Sequence, residues 1–167
     1  MLKIASYDIV FQEVPEETTL ALNISGCPNR CKGCHSPHLW EDTGEKLTTG
    51  LIDGLLDRYG AGITCVCFMG GDQDTEGVMT LAEHVHRRGK KTAWYSGRDF
   101  KPQGVDAPEW WLQAEKGRLD YVKTGPYIEA CGGLKSENTN QRFYKRGTDG
   151  CWTDCTSVFH HSKTGMA

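Results

Sequence analysis

Between residues 48 and 124 the sequence switches repeatedly between two hydrophobic periodicities, and that alternation limits what the chain can fold into. Thr48 or Thr49 can cap a helix carrying Leu51, Ile52, Leu55, Leu56 and Tyr59 on one face, with Gly60 as its end. Ile63 to Met69 is an apolar run between Gly62 and Gly70, the pattern of a strand buried on both faces. A second helix is predicted from Thr75 to Arg88, with Val78, Leu81, Ala82 and Val85 inward and Gly89 as its stop. Thr92 to Ser96 reads as a strand, and Pro108 suits the first turn of a third helix through Trp110, Trp111 and Leu112. Leu119 to Lys123 is a further strand, ended by Gly125-Pro126. Strands alternating with helices argue for βαβ units with helices on one side of a mainly parallel sheet. The units are too few for a closed eight-fold barrel. The expected fold is therefore α/β, an open partial (βα) barrel with a mainly parallel sheet.

Upstream, residues 3–24 read as extended, with Ile4, Tyr7, Ile9, Val10 and Phe11 as strand formers and alternation in Leu20-Ala21-Leu22-Asn23-Ile24. Ser25-Gly26-Cys27-Pro28 breaks the strand. Residues 27–46 form a long loop, and long loops in compact domains are usually functional. From Lys145 the chain is polar and contains Gly and Cys, so partial disorder is expected there. The division that follows is a domain over 1–145 and a Cys-containing tail over 146–167.

With 167 residues the chain suits one domain and can bury a core without disulfides. Its net charge is −3 with no large basic block, which argues against nucleic acid as a partner. No apolar run approaches the roughly 20 residues of a membrane span, and the N-terminal Met1-Leu2-Lys3-Ile4-Ala5 lacks a signal peptide's apolar core. No membrane partner and a cytoplasmic location are expected. The eight cysteines then point to metal or cluster ligation more than to disulfides.

Three of them stand in Cys27-Pro28-Asn29-Arg30-Cys31-Lys32-Gly33-Cys34, a C-x3-C-x2-C spacing. A short loop so spaced can set three soft thiolates around one face of a [4Fe–4S] cubane. Three ligands leave the fourth iron open to a small molecule, the mark of a catalytic metal site. A structural zinc, completed by His35 or His38, fits the same spacing. The next predicted strand ends in Phe68-Met69-Gly70-Gly71-Asp72. Both loops thus follow strands, where α/β folds bind ligands. Paired glycines admit a close ligand, and a side chain at residue 71 would obstruct it. The Asp72 carboxylate could accept hydrogen bonds from an α-amino group.

These motifs, with Tyr95-Ser96-Gly97, Gly125-Pro126-Tyr127 and Asn140-Gln141-Arg142 further on, resemble the radical S-adenosylmethionine superfamily. Within it the chain is most similar to the activating proteins of anaerobic ribonucleoside-triphosphate reductase, over about residues 1–145. The resemblance implies a partial barrel of the radical S-adenosylmethionine type and an oxidoreductase with two cofactors, a [4Fe–4S] cluster and S-adenosyl-L-methionine. It implies that Cys27, Cys31 and Cys34 ligate the cluster as the catalytic and metal-binding residues. Gly33, Cys34 and His35 would run beside S-adenosylmethionine, Gly70, Gly71 and Asp72 would meet its amino group, and Tyr95, Ser96 and Gly97 its sugar or methionine part. The implied reaction cleaves S-adenosylmethionine reductively to a 5′-deoxyadenosyl radical, which abstracts hydrogen from a glycine. The implied partners are the glycyl radical subunit of the reductase and a one-electron donor such as flavodoxin or ferredoxin. Two stretches depart from the family pattern: Glu13-Val14-Pro15-Glu16-Glu17 replaces a Gly-Pro-Gly-containing segment, and Asp72-Gln73 replaces the commoner Glu-Pro.

Competing functions are an activase of another glycyl radical enzyme, a radical enzyme acting on a small molecule, and a non-catalytic zinc-binding interaction module. Cys65 and Cys67, two apart on a strand, face the same side and read as small packing residues. Cys131, Cys151 and Cys155, with His160 or His161, could hold a second metal, although surface thiols are the simpler reading. Of Trp110 and Trp111 one is expected to be exposed, and Lys123 near a strand end could face the open site, although a solvated or core-edge lysine is the commoner case.

Overall fold

The computed structural model of the chain describes residues 1–34 and 37–161. Along these run β1 (Lys3–Val10), β2 (Thr19–Ile24), β3 (Glu45–Lys46), α1 (Thr49–Tyr59), β4 (Cys65–Met69), α2 (Thr75–Arg87), β5 (Lys91–Tyr95), α3 (Glu109–Glu115), β6 (Tyr121–Thr124), β7 (Arg142–Arg146), β8 (Trp152–Asp154) and α4 (Val158–His161). Local chemistry sets the helix starts. The Thr48 hydroxyl accepts from the Leu51 amide at 3.1 Å, and the Asp74 carboxylate from the Gly77 amide at 3.0 Å, so each caps a first turn. Pro108, with no N–H to leave unsatisfied, precedes α3.

The strands form one sheet in the order β3-β1-β2-β4-β5-β6-β7-β8. This corrects the expected open partial (βα) barrel with a mainly parallel sheet. The sheet is mixed and strand-rich, with four short α-helices among the described residues. Only the ladders β2–β4, β4–β5 and β5–β6 are parallel. The ladders β1–β2, β1–β3, β6–β7 and β7–β8 are antiparallel. Connection chemistry explains the difference. A parallel neighbour needs a crossover of a dozen or more residues, usually helical, whereas an antiparallel one needs a turn. α1, α2 and α3 supply such crossovers from β2 to β6. Residues 11–18 between β1 and β2 are too few for one. Residues 125–141 contain Gly125, Pro126, Gly132 and Gly133 and form no α-helix, so β7 returns beside β6.

Strand side chains alternate between two unlike faces. One carries Leu20, Leu22, Ile24, Val66, Phe68, Trp94 and Val122 into a core with Ile52 and Leu55 of α1, Val78 and Met79 of α2 and Trp111 of α3. The other carries Cys65, Cys67, Ala93, Tyr121 and Phe143, packed with Val14 and Phe159. Helices α1 to α3 therefore lie on one side of the sheet, and the opposite side is covered chiefly by loops and α4. Both Cys65 and Cys67 are fully buried, as packing residues would be.

Two local expectations are revised. Trp111 is buried and stacks on Trp94 at 6.3 Å, while Trp110 is half-buried, its outer face covered by the Arg98 guanidinium at 4.7 Å. A cation over the ring, not solvent, thus completes the environment of the second tryptophan. The described part of the tail is built into the fold: β8 pairs with β7, and Trp152 and Phe159 bury their rings in the two opposite cores. Single aromatic anchors in a polar segment leave no periodic trace for sequence reasoning to find.

Candidate functional site

The carboxyl ends of β2, β4, β5 and β6 lie side by side because these strands are parallel and in register. The loop after β2 begins at Ser25, whose hydroxyl donates to the Thr43 carbonyl at 2.6 Å. The Gly26 amide donates to Glu41 O at 3.0 Å and the Cys27 amide to Leu39 O at 2.9 Å, so the loop folds back on residues 39–43. From the neighbouring loop the Gln73 side chain donates to Ser25 O at 2.8 Å. Between the first two cysteines Arg30 has φ of 45°, a left-handed conformation uncommon outside glycine. The Cys34 amide returns to Cys31 O at 3.1 Å, closing a turn.

This folding brings Cys27, Cys31 and Cys34 to one cavity of about 160 Å³, shared with Asn29, Trp40, Met69, Gly70, Asp72, Tyr95, Gly97 and Lys123. Cys34, Met69, Tyr95 and Lys123 also line a larger cleft of about 510 Å³ on the loop-covered face of the sheet. The small cavity therefore borders the wide one along a shared wall.

Asp72 is buried beside the thiols, at 3 % exposure. Its carboxylate accepts from Ser96 Oγ at 2.5 Å, Asn29 Nδ2 at 2.6 Å and the Gly97 amide at 2.8 Å. The protein thus already satisfies much of an acceptor capacity that sequence reasoning assigned to a ligand. Lys123 is also buried, and its ammonium donates to Ser96 O at 3.1 Å and Gly125 O at 2.9 Å. Burial pulls its pKa down to about 8, against the raising effect of Asp72 and the three nearby cysteines. Tyr95 donates its hydroxyl to the Glu13 carbonyl.

The residues singled out from sequence separate into groups. Cys27, Cys31, Cys34, Gly70, Asp72, Tyr95 and Gly97 meet at the small cavity. Ser96 is fully buried behind it, bonded to Asp72. Gly33 packs elsewhere, facing Tyr127 and the Glu129 carboxylate. Gly71 faces the hydrophobic core: a Cβ there would lie 2.6 Å from Val78 Cγ2 and 3.4 Å from Ile24 Cδ1. At a φ of 98° glycine is favoured there, and the missing Cβ leaves room for helix-to-sheet packing. His35 lies outside the described residues. Asn29 and Met69 lie inside the two loop motifs but were given no role, Trp40 was not singled out, and Lys123 joins the site, as one of its sequence readings allowed.

The chain matches the 4Fe-4S single cluster domain family over residues 16–105, more than half its length and spanning the cysteine loop. It belongs to that family. No curated protein and no solved structure matches it. Membership makes an iron–sulfur cofactor the group this chain binds.

The residues around the cavity fit such a cluster. Three thiols are the soft donors it takes. Among the described residues no three His, Cys, Asp or Glu side chains close around a single ion. A cubane spreads its ligands over separate corner irons and does not require that closure. Trp40 packs its side chain at the cavity, where the Arg30 guanidinium lies over its ring at 5.8 Å. The remaining cysteines differ. Burial pushes the Cys65 and Cys67 thiols up, disfavouring the thiolate that ligation needs. Cys131, Cys151 and Cys155 form no metal-ligand group among the described residues. Likewise, no described helix is long and apolar enough to cross a membrane.

Proposed function

We propose that this iron–sulfur protein is a radical S-adenosylmethionine activating enzyme. It cleaves S-adenosylmethionine reductively and passes the 5′-deoxyadenosyl radical to a glycine of a partner, the anaerobic ribonucleoside-triphosphate reductase. The supporting observation is the junction of the two cavities: three loop cysteines line a small cavity whose wall continues into a cleft of about 510 Å³. When bound there, a [4Fe–4S] cluster with an open corner would supply one electron to a chelated sulfonium. Cys27, Cys31 and Cys34 hold the cluster. Gly70 and Gly97 line the cavity beside the methionine, and the missing Cβ of each lets the strand-end loops pack closely there. Lys123 presents a cation between cavity and cleft, suited to the methionine carboxylate. Met69, Tyr95 and Tyr127 line the cleft and exclude water from the path between adenosyl carbon and glycine.

The test begins with anaerobic reconstitution and assay of iron and sulfide. The reduced protein is then incubated with S-adenosylmethionine, and 5′-deoxyadenosine is measured by chromatography. Addition of the reductase subunit should produce a glycyl radical doublet by spin resonance. Cleavage without the doublet would move the function to another glycyl radical partner or a small molecule. No cleavage by an iron-loaded, reduced protein with partner present would overturn the proposal.

A further inference from the structure

The Asn29 side chain joins the cysteine loop to the loops at the neighbouring strand ends. Its Nδ2 lies 2.6 Å from Asp72 Oδ2 and 3.7 Å from Cys27 Sγ. A primary amide carries two N–H groups on that nitrogen, enough for both contacts. The orientation of the amide follows from its partner. A carboxylate only accepts, so the atom turned to Asp72 is the NH2 and not the oxygen. Asp72 is itself fixed by Ser96 Oγ and the Gly97 amide. Gly97 also makes room, since a Cβ there would lie 2.5 Å from Asn29 Nδ2. With one N–H committed to the carboxylate, the other is directed at the Cys27 sulfur.

We infer that Asn29 is a positioning residue that sets the reduction potential of the cluster through an N–H···S hydrogen bond to Cys27, with Asp72 fixing the direction of that bond. The inference rests on Cys27 being a cluster ligand. Hydrogen bonds to ligating sulfurs are among the protein's means of tuning iron–sulfur potentials. The reduced cluster carries one more negative charge than the oxidised one, so a donor at its thiolate favours reduction and raises the potential. Asp72 acts here through Asn29.

The test compares wild type with Asn29→Ala, Asp72→Asn and Cys27→Ala, each reconstituted anaerobically. Iron and sulfide are assayed, midpoint potentials are taken from spin-resonance-monitored titrations, and exchangeable-proton couplings are compared in H2O and D2O. Asn29→Ala should retain full iron, show a more negative midpoint potential and lose one exchangeable coupling. Asp72→Asn keeps the shape of the side chain but replaces an acceptor with a group that also donates, so Asn29 is able to turn its oxygen inward. That variant should shift the potential in the same direction by a smaller amount. Unchanged potential and couplings in Asn29→Ala would overturn the inference. Loss of iron from both variants would also overturn it and leave the pair as a structural clamp. Wild-type iron content in Cys27→Ala would instead defeat the ligand assignment beneath it.

Discussion

The two faces of the sheet are built from the same strands and serve opposite ends. Phe68 and Trp94 point to the helices and disappear into an apolar core. Their neighbours Cys67, Met69 and Tyr95 point the other way, toward thiols, an ammonium and a cleft. Along β4 and β5 the even positions face the helices, while the odd ones fill a second core that opens onto the cleft only at Met69 and Tyr95, and separating the two is a matter of register. A slip of one residue would exchange them.

The sharpest way to break this division is at the cysteines. Cys31→Ala should lose all cluster iron after anaerobic reconstitution while keeping its circular dichroism, because Cys31 lies in a loop outside either core. Retained iron and a cluster absorbance band would put the cofactor elsewhere. Gly71→Val tests the opposite face. The left-handed backbone costs about 1–3 kcal/mol for a residue other than glycine. Overpacking against Val78 adds about 1–3 kcal/mol. Denaturant unfolding should therefore show a loss of about 2–6 kcal/mol. A stable variant that binds S-adenosylmethionine poorly would return Gly71 to the site.

Smaller effects refine the comparison. Cys67→Ala removes one buried sulfur and should cost under about 1.5 kcal/mol, in the range of an Ile→Val truncation. Iron content should stay at the wild-type level. The least effect is expected at the far end of the strands, from Glu17. Burial raises its carboxyl pKa, but hydrogen bonds from Tyr121, Thr64 and Lys91 outweigh this and hold it below the usual value. A depressed folded pKa gives stability that is present above the unfolded value of about 4.3 and is lost as pH falls through the folded one. Glu17→Gln should thus flatten the decline of stability below about pH 5. An unchanged acid limb in thermal melts would remove Glu17 from that account.

Much of the strand–helix succession from Thr49 to Thr124 was legible, because periodicity and caps are local. Thr48, Gly60 and Pro108 marked their boundaries within a residue or so. The sheet's direction was not, since it depends on what the connections lack. Residues 125–141 hold no crossover helix, and β7 and β8 carry no strong alternation of their own. At the site, the tight cysteine spacing and the strand-end loops were visible. The role of Asn29 was not, because a hydrogen bond across 43 residues of sequence leaves no pattern in either segment, nor was that of Trp40, a single aromatic in an irregular loop. Gly70 and Gly71 show the limit most plainly: adjacent and identical, they face a cavity and a core respectively.

The connection between β1 and β2 has a further consequence. Gln12 and Glu13 form one side of the wide cleft, Val14 is sunk into the core beneath it, and the Tyr95 hydroxyl and Lys135 hold the Glu13 carbonyl and the Gln12 side chain. The doorway to the chemistry is thus a turn containing none of the cysteines or paired glycines. Changes of length or sequence at its tip can accumulate in a lineage without disturbing a single thiol. Such changes would alter what the cleft of about 510 Å³ admits while leaving the three cysteines of the small cavity in place.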